Sequence, residues 1–267
     1  FVLLPGVWLN SKGILSEPLF LLTTLTLLLC VQRRAHGAVL ALLFAALTLT
    51  RTIGCVMAAA YIAWALLASG GALRTRITAS KPALAGLAAY GLWLLLRPEH
   101  TADDYARIAG GDLAQIMASP DRIAMLGQRI AQQAHALADG WTSSLLIYWI
   151  ETRPLARVLT LLLGLFAIAG WALRFRRREP DAWMFVAYAA LLLIWPFPGQ
   201  ALRFLFPVLP VLLLYALWCA REIGQRMGGS PLPPTVVVLI FVGLCAPALT
   251  FLYGRAQAGT ADGYSGI

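Results

Sequence analysis

Residues 155–173 read LARVLTLLLGLFAIAGWAL, and the six residues that follow read RFRRRE. The first stretch carries a single charge, Arg157, and as a helix it is nearly long enough to cross the core of a bilayer. The second stretch places four arginines directly at one end of the apolar run. An apolar run that ends in arginines predicts a transmembrane helix whose basic end lies in the cytoplasm.

Similar apolar runs recur along all 267 residues, of which 60% are hydrophobic and only 12% are charged. A soluble domain is usually about 25% charged, so this composition excludes a soluble enzyme, a disordered chain and a nucleic-acid-binding module. We therefore predict an all-α fold, a polytopic transmembrane helix bundle that forms one integral membrane domain over 1–267. The predicted spans are a partial one at 1–9 and eight more at 17–31, 38–50, 54–73, 82–96, 155–173, 182–195, 203–220 and 235–253.

The basic residues orient these spans, because cytoplasmic loops are enriched in arginine and lysine. One set of alternate connections carries eleven of them: Arg33, Arg34, Arg74, Arg76, Lys81, Arg174, Arg176, Arg177, Arg178, Arg221 and Arg226. The short connections of the opposite set carry four, which are Lys12, Arg51, Arg203 and Arg255. We expect the first set in the cytoplasm and residues 97–154 outside, so the net charge of +9 indicates topology and no nucleic-acid partner.

The external segment 97–154 contains the pattern of an amphipathic helix. Ser119 is the expected N-cap, Pro120 the first helical residue and Gly140 the stop. Between them an apolar stripe recurs at helical spacing, formed by Ile123, Leu126, Ile130, Ala134 and Leu137. We expect this helix either to lie on the membrane surface or to cover an external cavity.

Residue types with redox or metal chemistry are few and scattered. The four cysteines (Cys30, Cys55, Cys219 and Cys245) lie in or beside apolar runs without a CxxC spacing, so we interpret them as buried free thiols. The three histidines (His36, His100 and His135) do not reach the spacing of metal ligands. We therefore predict no metal site from these residues.

Polar residues near the hydrocarbon are costly, and three such stretches fall at the external ends of predicted spans. The first is SEPLF at 16–20, where Ser16 is an expected N-cap and Glu17 lies at the positive end of the helix dipole. Glu17 has two interpretations. It either helps to cap the N-terminus of the helix, or it faces an external cleft and binds or orients a hydroxylated acceptor.

The second stretch is TLTRTIG at 48–54, which joins two spans at Arg51. Arg51 either snorkels to the surface or, with the three threonines, forms a turn that binds phosphate.

The third stretch is WPFPGQALRFLFPVLP at 195–210, which carries Gln200 and Arg203 at the start of a proline-loosened span. An arginine at a helix start opposes the dipole and needs an anionic partner, for which a phosphate is the best candidate. We therefore assign Arg203, Gln200 and Arg51 to phosphate binding.

These three stretches together resemble the GT-C superfamily of polytopic glycosyltransferases, which includes the protein O-mannosyltransferases and the lipid A aminoarabinose transferases. Ser16-Glu17-Pro18-Leu19-Phe20 is similar to an external helix start of that group. Leu49-Thr50-Arg51-Thr52-Ile53-Gly54 is similar to its LTRxxG hairpin, and Arg203 to Pro210 to its proline-rich helix. The resemblance covers about residues 1–220.

The resemblance implies an inverting transfer of sugar from a polyprenyl-phosphate donor to a glycan, lipid or protein acceptor at an external active site. It implies a multi-pass protein of the plasma membrane, the inner membrane of a bacterium, with membrane lipids as its surroundings. The lipid-linked sugar is a substrate, so no cofactor is expected. Whether the reaction requires a divalent metal ion is left open. The catalytic acid of the superfamily lies in a loop after the first helix. Because the chain opens inside an apolar run, we expect an N-terminally truncated fragment without that loop, and the catalytic residue stays unknown.

Two other function classes compete with the transferase. A membrane transporter or a lipid flippase also carries charges at helix ends, although such proteins usually place polar sites near the bilayer midplane and often contain repeats. A purely structural membrane subunit is the third alternative. The near absence of charge from the middle of the spans, together with the lack of an internal repeat, favours the transferase.

Overall fold

The computed structural model describes residues 16–96, 104–146 and 154–226 of the chain. All regular structure within these ranges is helical, which confirms the all-α prediction. The predicted spans at 1–9 and 235–253 lie outside the described residues. In chain order the elements are α1 (Ser16–Gln32), α2 (Gly37–Thr50), α3 (Ile53–Leu67), α4 (Leu73–Leu96), α5 (Asp104–Ala118), α6 (Arg122–Leu146), α7 (Pro154–Arg176), α8 (Pro180–Ile194), a 3₁₀ turn (Pro198–Gln200), α9 (Ala201–Leu205) and α10 (Leu209–Arg226).

The chain divides into two compact units. The larger unit comprises Ser16–Leu137 and Ala172–Pro207, and the smaller one includes Ala138–Trp171 and the described residues that follow Pro207. The single integral domain expected from the sequence stays a prediction.

In the larger unit, α2 packs against α1, α3 and α4, while α3 also packs against α4 and α8. The side chains buried in this unit are mostly large and apolar, and include Phe20, Leu27, Phe44, Leu47, Met57, Tyr61, Met184 and Tyr188. A hydrogen bond from the Thr48 hydroxyl to the Gly86 carbonyl, 3.0 Å long, joins α2 to α4. Close packing and buried interhelical hydrogen bonds of this kind are the means by which helices associate in lipid.

In the smaller unit, α7 and α10 lie close together at Gly170. A Cβ atom at this position would lie 2.0 Å from the carbonyl oxygen of Tyr215, so only glycine fits. Trp141 of α6 donates from Nε1 to the Thr160 carbonyl of α7 over 2.8 Å. These contacts bring the backbones together at a small residue, as is common between transmembrane helices.

Two predicted helix boundaries between residues 54 and 96 are wrong. The span predicted at 54–73 ends at Leu67, because Gly70 and Gly71 have φ values of +68° and +85° and turn the chain. The span predicted at 82–96 begins nine residues earlier, at Leu73, and runs through Pro82. Pro82 and the next residue, Ala83, are buried, so packing offsets the hydrogen bond that the proline cannot donate.

The span predicted at 203–220 is interrupted. Helix α9 ends at Leu205 and α10 begins at Leu209. Pro207 lies in the gap, and it has no N–H to continue a helical ladder. The interruption leaves Arg203 in a five-residue helix of its own rather than at the start of a long span.

The amphipathic helix α6 differs from its prediction in length. It starts at Arg122, where the Ser119 hydroxyl accepts the Asp121 N–H over 3.2 Å, and it continues past Gly140 to Leu146. Its apolar stripe is largely exposed, with Ile123 at 84%. The polar residues of its N-terminal half are also mostly exposed, apart from Gln133, which is only 2% exposed.

Two described helices are long and apolar enough to cross a membrane, α4 and the part Arg157–Arg176 of α7. Four further apolar helices, α1, α2, α3 and α8, are 14 to 17 residues long. Many large aliphatic side chains on the long and the short apolar helices are exposed, such as Leu42 on α2, Leu95 on α4 and Leu165 on α7.

Candidate functional site

Glu17 lies in the first turn of α1, where the helix dipole favours a negative charge. Its side chain is completely buried, at 0% exposure. A buried carboxylate is stable only when charged or hydrogen-bonded partners compensate it. The partners of Glu17 therefore determine what this part of the molecule can do.

Arg51 is the first partner. It follows the last residue of α2 in an extended conformation, and its Nη1 donates to Glu17 Oε1 over 2.6 Å. The hairpin between α2 and α3 is tight, because a Cβ atom at Gly54 would lie 2.3 Å from the Leu47 carbonyl oxygen. A glycine three residues after Arg51 is thus what allows the turn to present the guanidinium to α1.

Two of the threonines around Arg51 are engaged with the backbone. The Thr48 hydroxyl donates to the carbonyls of Ala45 and Gly86, and the Thr50 hydroxyl donates to that of Ala46. The protons of these two hydroxyls are therefore used within the fold. In the phosphate-binding turn predicted at 48–54, the guanidinium of Arg51 is therefore the candidate phosphate donor, and the hydroxyls of Thr48 and Thr50 are not.

Arg203 is the second partner. Its Nε donates to the same oxygen, Glu17 Oε1, from the short helix α9. The next residue, Phe204, would ordinarily offer its carbonyl to the helix ladder, which stops here. The buried Tyr188 hydroxyl donates to this carbonyl instead, over 2.6 Å. That bond ties α9 to α8 and fixes the segment from which Arg203 extends.

Glu17, Arg51 and Arg203 form what we call the Glu17 cluster, in which one carboxylate meets two guanidiniums. The cluster has a net charge of +1. Exposure rises from 0% at Glu17 through 13% at Arg51 to 36% at Arg203. Among the described residues, Oε2 of Glu17 has no hydrogen-bond donor, and no acceptor is bonded to the two Nη groups of Arg203. The cluster therefore presents unused donors at its more exposed end.

Aromatic rings surround the cluster on the side of α8 and α9. The Arg51 Cζ lies 5.2 Å from the centroid of the Phe204 ring, a cation–π distance. Trp195 packs edge-on against both Phe204 and Phe197, with centroids 5.5 and 6.2 Å apart. Rings in these positions exclude water and strengthen the electrostatic interactions of the cluster.

The structure brings together three of the four predicted site residues. Gln200 is the fourth, and it lies half-buried at the end of the 3₁₀ turn, three residues before Arg203. Glu17 is completely buried, and its two interpretations, helix capping and acceptor binding at an external cleft, both stay predictions. The roles assigned to all four residues, phosphate binding and acceptor binding, stay predictions.

The hydrogen bond between Gln133 and Trp195 was not predicted from the sequence. The Gln133 Nε2 donates to the Trp195 carbonyl at the end of α8, and so it connects α6 to the aromatic side of the cluster. The sequence offered one weak signal, the adjacent pair Gln132 and Gln133 in the polar part of the helix. Helical periodicity alone does not say which side of such a helix faces the protein.

A second ion pair was also missed. Arg174 donates to both carboxylate oxygens of Asp181, over 2.8 and 2.7 Å, and Asp181 is 6% exposed. From the sequence, Arg174 is one of the arginines that indicate topology, with no predicted ion-pair partner. The signal was an acidic residue directly after Pro180, at the start of the next helix.

Other chemistry is sparse in the described part of the chain. It contains no group of three histidine, cysteine or acidic side chains placed to hold a metal ion. Of its free cysteines, Cys219 is buried, as expected, whereas Cys30 and Cys55 are only half-buried; Cys245 lies outside the described residues. The chain has no significant match among known protein families, curated proteins or solved structures.

Proposed function

We propose that the chain belongs to a multi-pass membrane transferase that moves a sugar from a polyprenyl-phosphate donor to an acceptor outside the cell. The observation that carries the proposal is the convergence of three separated sequence motifs on one carboxylate oxygen. Arg51 and Arg203 lie 34 and 186 positions from Glu17 along the chain, and both are bonded to Oε1. The excess positive charge of this cluster fits a substrate that carries phosphate.

The membrane part of the proposal rests on where the apolar surface lies. Leucines are exposed along α2, α4 and α7, among them Leu42, Leu95 and Leu165. Exposed apolar surface on several helices suits a protein whose surroundings are lipid, and it supports the proposed multi-pass bundle.

The chemistry follows from the charge of the cluster. In the proposed transfer the acceptor oxygen attacks the anomeric carbon, the bond to the phosphate oxygen breaks, and the lipid phosphate leaves with the electron pair. Negative charge then grows on the leaving phosphate, and fixed donors near it lower the barrier. Arg203 suits this task because its Nε holds Glu17 while its Nη groups stay available for a forked contact with phosphate oxygens.

Glu17 has a different role in this proposal. Its Oε1 already accepts hydrogen bonds from two guanidiniums. A carboxylate held in this way is a poor base, so we assign Glu17 to positioning the two arginines. The general base that takes the proton of the acceptor is not assigned to any described residue.

A lipid flippase or transporter is the second candidate, and one observation favours it. The chain between Leu205 and Leu209 is non-helical directly after Arg203. Interrupted helices beside charged residues are typical of transporter binding sites. Liposomes that carry a fluorescent polyprenyl-phosphate sugar in one leaflet separate the two functions, since a transferase yields glycosylated acceptor and a flippase yields transbilayer movement alone.

The proposal is tested by sugar transfer from a polyprenyl-phosphate donor, measured with the full-length protein in liposomes. Arg203→Ala should lower transfer about tenfold to a hundredfold, because a charge-assisted hydrogen bond is worth roughly 1.5–3 kcal/mol. Arg203→Lys should restore only part of the rate, since an ammonium group cannot make the forked contact.

The matched control is Arg157→Ala, which removes an arginine that is 53% exposed and paired with Asp139. It should leave transfer unchanged. Wild-type transfer by Arg203→Ala, at equal expression and folding, would falsify the phosphate-binding role of the Glu17 cluster.

A further inference from the structure

A cavity of about 810 Å³ lies in the larger unit, at the opposite ends of α1, α2 and α3 from the Glu17 cluster. It is lined by the last residues of α1, the first of α2, the last turns of α3 and the first turns of α4. Gln32 follows Glu17 by 15 positions in α1, which separates the two places by roughly 22 Å at 1.5 Å per residue. The cavity is therefore distinct from the proposed transfer site, and its size is that of a small-molecule site.

The walls of the cavity combine three kinds of side chain. Tyr61 and Trp64 supply aromatic surface, Thr75 and Thr78 lie on the wall formed by α4, and the cations are Arg34 and Arg74. Trp64 is held in place by a hydrogen bond of 2.6 Å from its Nε1 to the Arg178 carbonyl. An aromatic wall with hydroxyl groups and guanidiniums suits a ligand that is partly apolar and bears an anion.

The charges of the cavity are not balanced. Neither Arg34 nor Arg74 has a carboxylate partner among the described residues, and both are exposed. The neighbouring Arg76 differs, because it donates to the carbonyls of Gly71 and Leu66. The one acidic residue on the wall, Glu179, lies 3.9 Å from Arg174. Two guanidiniums thus border the cavity without an ion pair among the described residues, against the single carboxylate of Glu179.

The surface beside the cavity is apolar. Leu67 at the end of α3 is 70% exposed, and Leu73 and Ile77 at the start of α4 are 68% and 46% exposed. An amphiphile with an anionic head and aliphatic chains matches this combination, its head between the arginines and its chains along the leucines.

We infer that this cavity binds a phosphate group, and that the source of the phosphate is the headgroup of an anionic membrane lipid. The phosphate chemistry is independent of the proposed transferase activity. Only the choice of a lipid over a soluble phosphate rests on the membrane location proposed above. Guanidiniums are usual side-chain donors to phosphate oxygens, and Arg34 and Arg74 supply them here, because the Thr78 hydroxyl already donates to the Arg74 carbonyl over 2.9 Å.

The test is thermal unfolding of the purified full chain in a neutral detergent. Dilauroyl phosphatidylglycerol, dilauroyl phosphatidylcholine and inorganic phosphate are titrated separately. We expect phosphatidylglycerol to raise Tm saturably and phosphatidylcholine to have no saturable effect. In the double variant Arg34→Gln/Arg74→Gln, half-saturation should need at least tenfold more lipid.

The control variant is Arg33→Gln/Lys81→Gln, which removes two charges from exposed positions that do not line the cavity. It should behave as the wild type does. An equal loss of binding in both double variants, or an equal response to both lipids, would overturn the inference. A saturable response to inorganic phosphate alone, with the same dependence on Arg34 and Arg74, would keep the phosphate site and reject the lipid as its source.

A second variant covers the case in which the double variant does not fold. Thr78→Trp fills the cavity and leaves both arginines in place. It should abolish the saturable response to phosphatidylglycerol, and a wild-type response by this variant would contradict the site. Sugar transfer enters none of these measurements, so failure of the transferase proposal leaves their outcome intact.

Discussion

The larger unit contains two buried ionic sites that differ in composition. The Arg174–Asp181 pair matches one guanidinium with one carboxylate, and its members are seven residues apart at the corner between α7 and α8. The Glu17 cluster matches two guanidiniums with one carboxylate, and it gathers its members from 34 and 186 positions away. One site is local and has no excess positive charge, since Glu179 lies 3.9 Å from the same guanidinium as a second carboxylate. The other site is long-range and carries excess positive charge.

Under the function proposed above, this difference separates a structural pair from a substrate site. Arg174 bonds both carboxylate oxygens of Asp181, so the pair has a sufficient explanation in holding one helix corner. The Glu17 cluster has one guanidinium more than it has carboxylates, and its unused donors lie at its more exposed end, where an anion can reach them. The excess guanidinium is therefore the feature on which the proposed anionic substrate rests.

The largest effect is expected from Glu17→Ala, which leaves two partly buried guanidiniums without their shared partner. Breaking a buried ion pair in this way costs roughly 3–5 kcal/mol. Unfolding by denaturing detergent, compared with the wild type, measures the loss. Glu222→Ala is the control, because its partner Arg226 is 69% exposed and lies on the same helix. A loss below about 1 kcal/mol for Glu17→Ala would show that the cluster does not hold the fold together.

Gly54→Ala should have the next largest effect, about 3 kcal/mol, which is the upper part of the range for overpacking. The new Cβ would lie 2.3 Å from the Leu47 carbonyl oxygen, and the hairpin that carries Arg51 must open to accept it. Gly91→Ala in α4 is the matched control, since nothing lies within 4 Å of its added Cβ. Equal stability of the two variants would mean that the hairpin is looser than its geometry implies.

Asp181→Asn should have the smallest effect of the three, roughly 1–2 kcal/mol for the lost charge-assisted bonds. Glu179 lies 3.9 Å from the same guanidinium and can replace part of the lost charge. The variant should also keep full sugar transfer, in contrast to Arg203→Ala. If Asp181→Asn lowered transfer as much as Arg203→Ala, the distinction between the two ionic sites would fail.

Most of the helices could be predicted from the sequence, because a long apolar run has few ways to satisfy its backbone other than a helix. The errors arose where a local signal competed with packing. Pro82 and Gly140 are breakers in isolation, yet both lie inside helices. Pro207 is the opposite example. It does interrupt a helix, after Leu205, and this interruption could have been predicted from the sequence.

The candidate site could be predicted only in outline. Successive predicted spans cross the membrane in opposite directions, so alternate connections lie on the same side. Counting the spans in this way places Glu17, Arg51 and Arg203 on one side of the predicted bundle. Their meeting at one oxygen depends on how α1, the α2–α3 hairpin and α9 pack, and no pattern within a single helix encodes that. Gln133 and Asp181 were missed for the same reason, since long-range polar pairs are set by tertiary contacts.

The lengths of the helices have a further consequence for the surrounding bilayer. At 1.5 Å per residue, α2 with 14 residues and α3 with 15 extend only about 21–23 Å, whereas a hydrocarbon core is about 30 Å thick. In the membrane location that we propose, hydrophobic mismatch of this size is relieved by thinning the bilayer beside the short helices. Lipid headgroups of the two leaflets would come several ångströms closer together there, which shortens the path of a headgroup to Arg203 at one face and to Arg34 and Arg74 at the other.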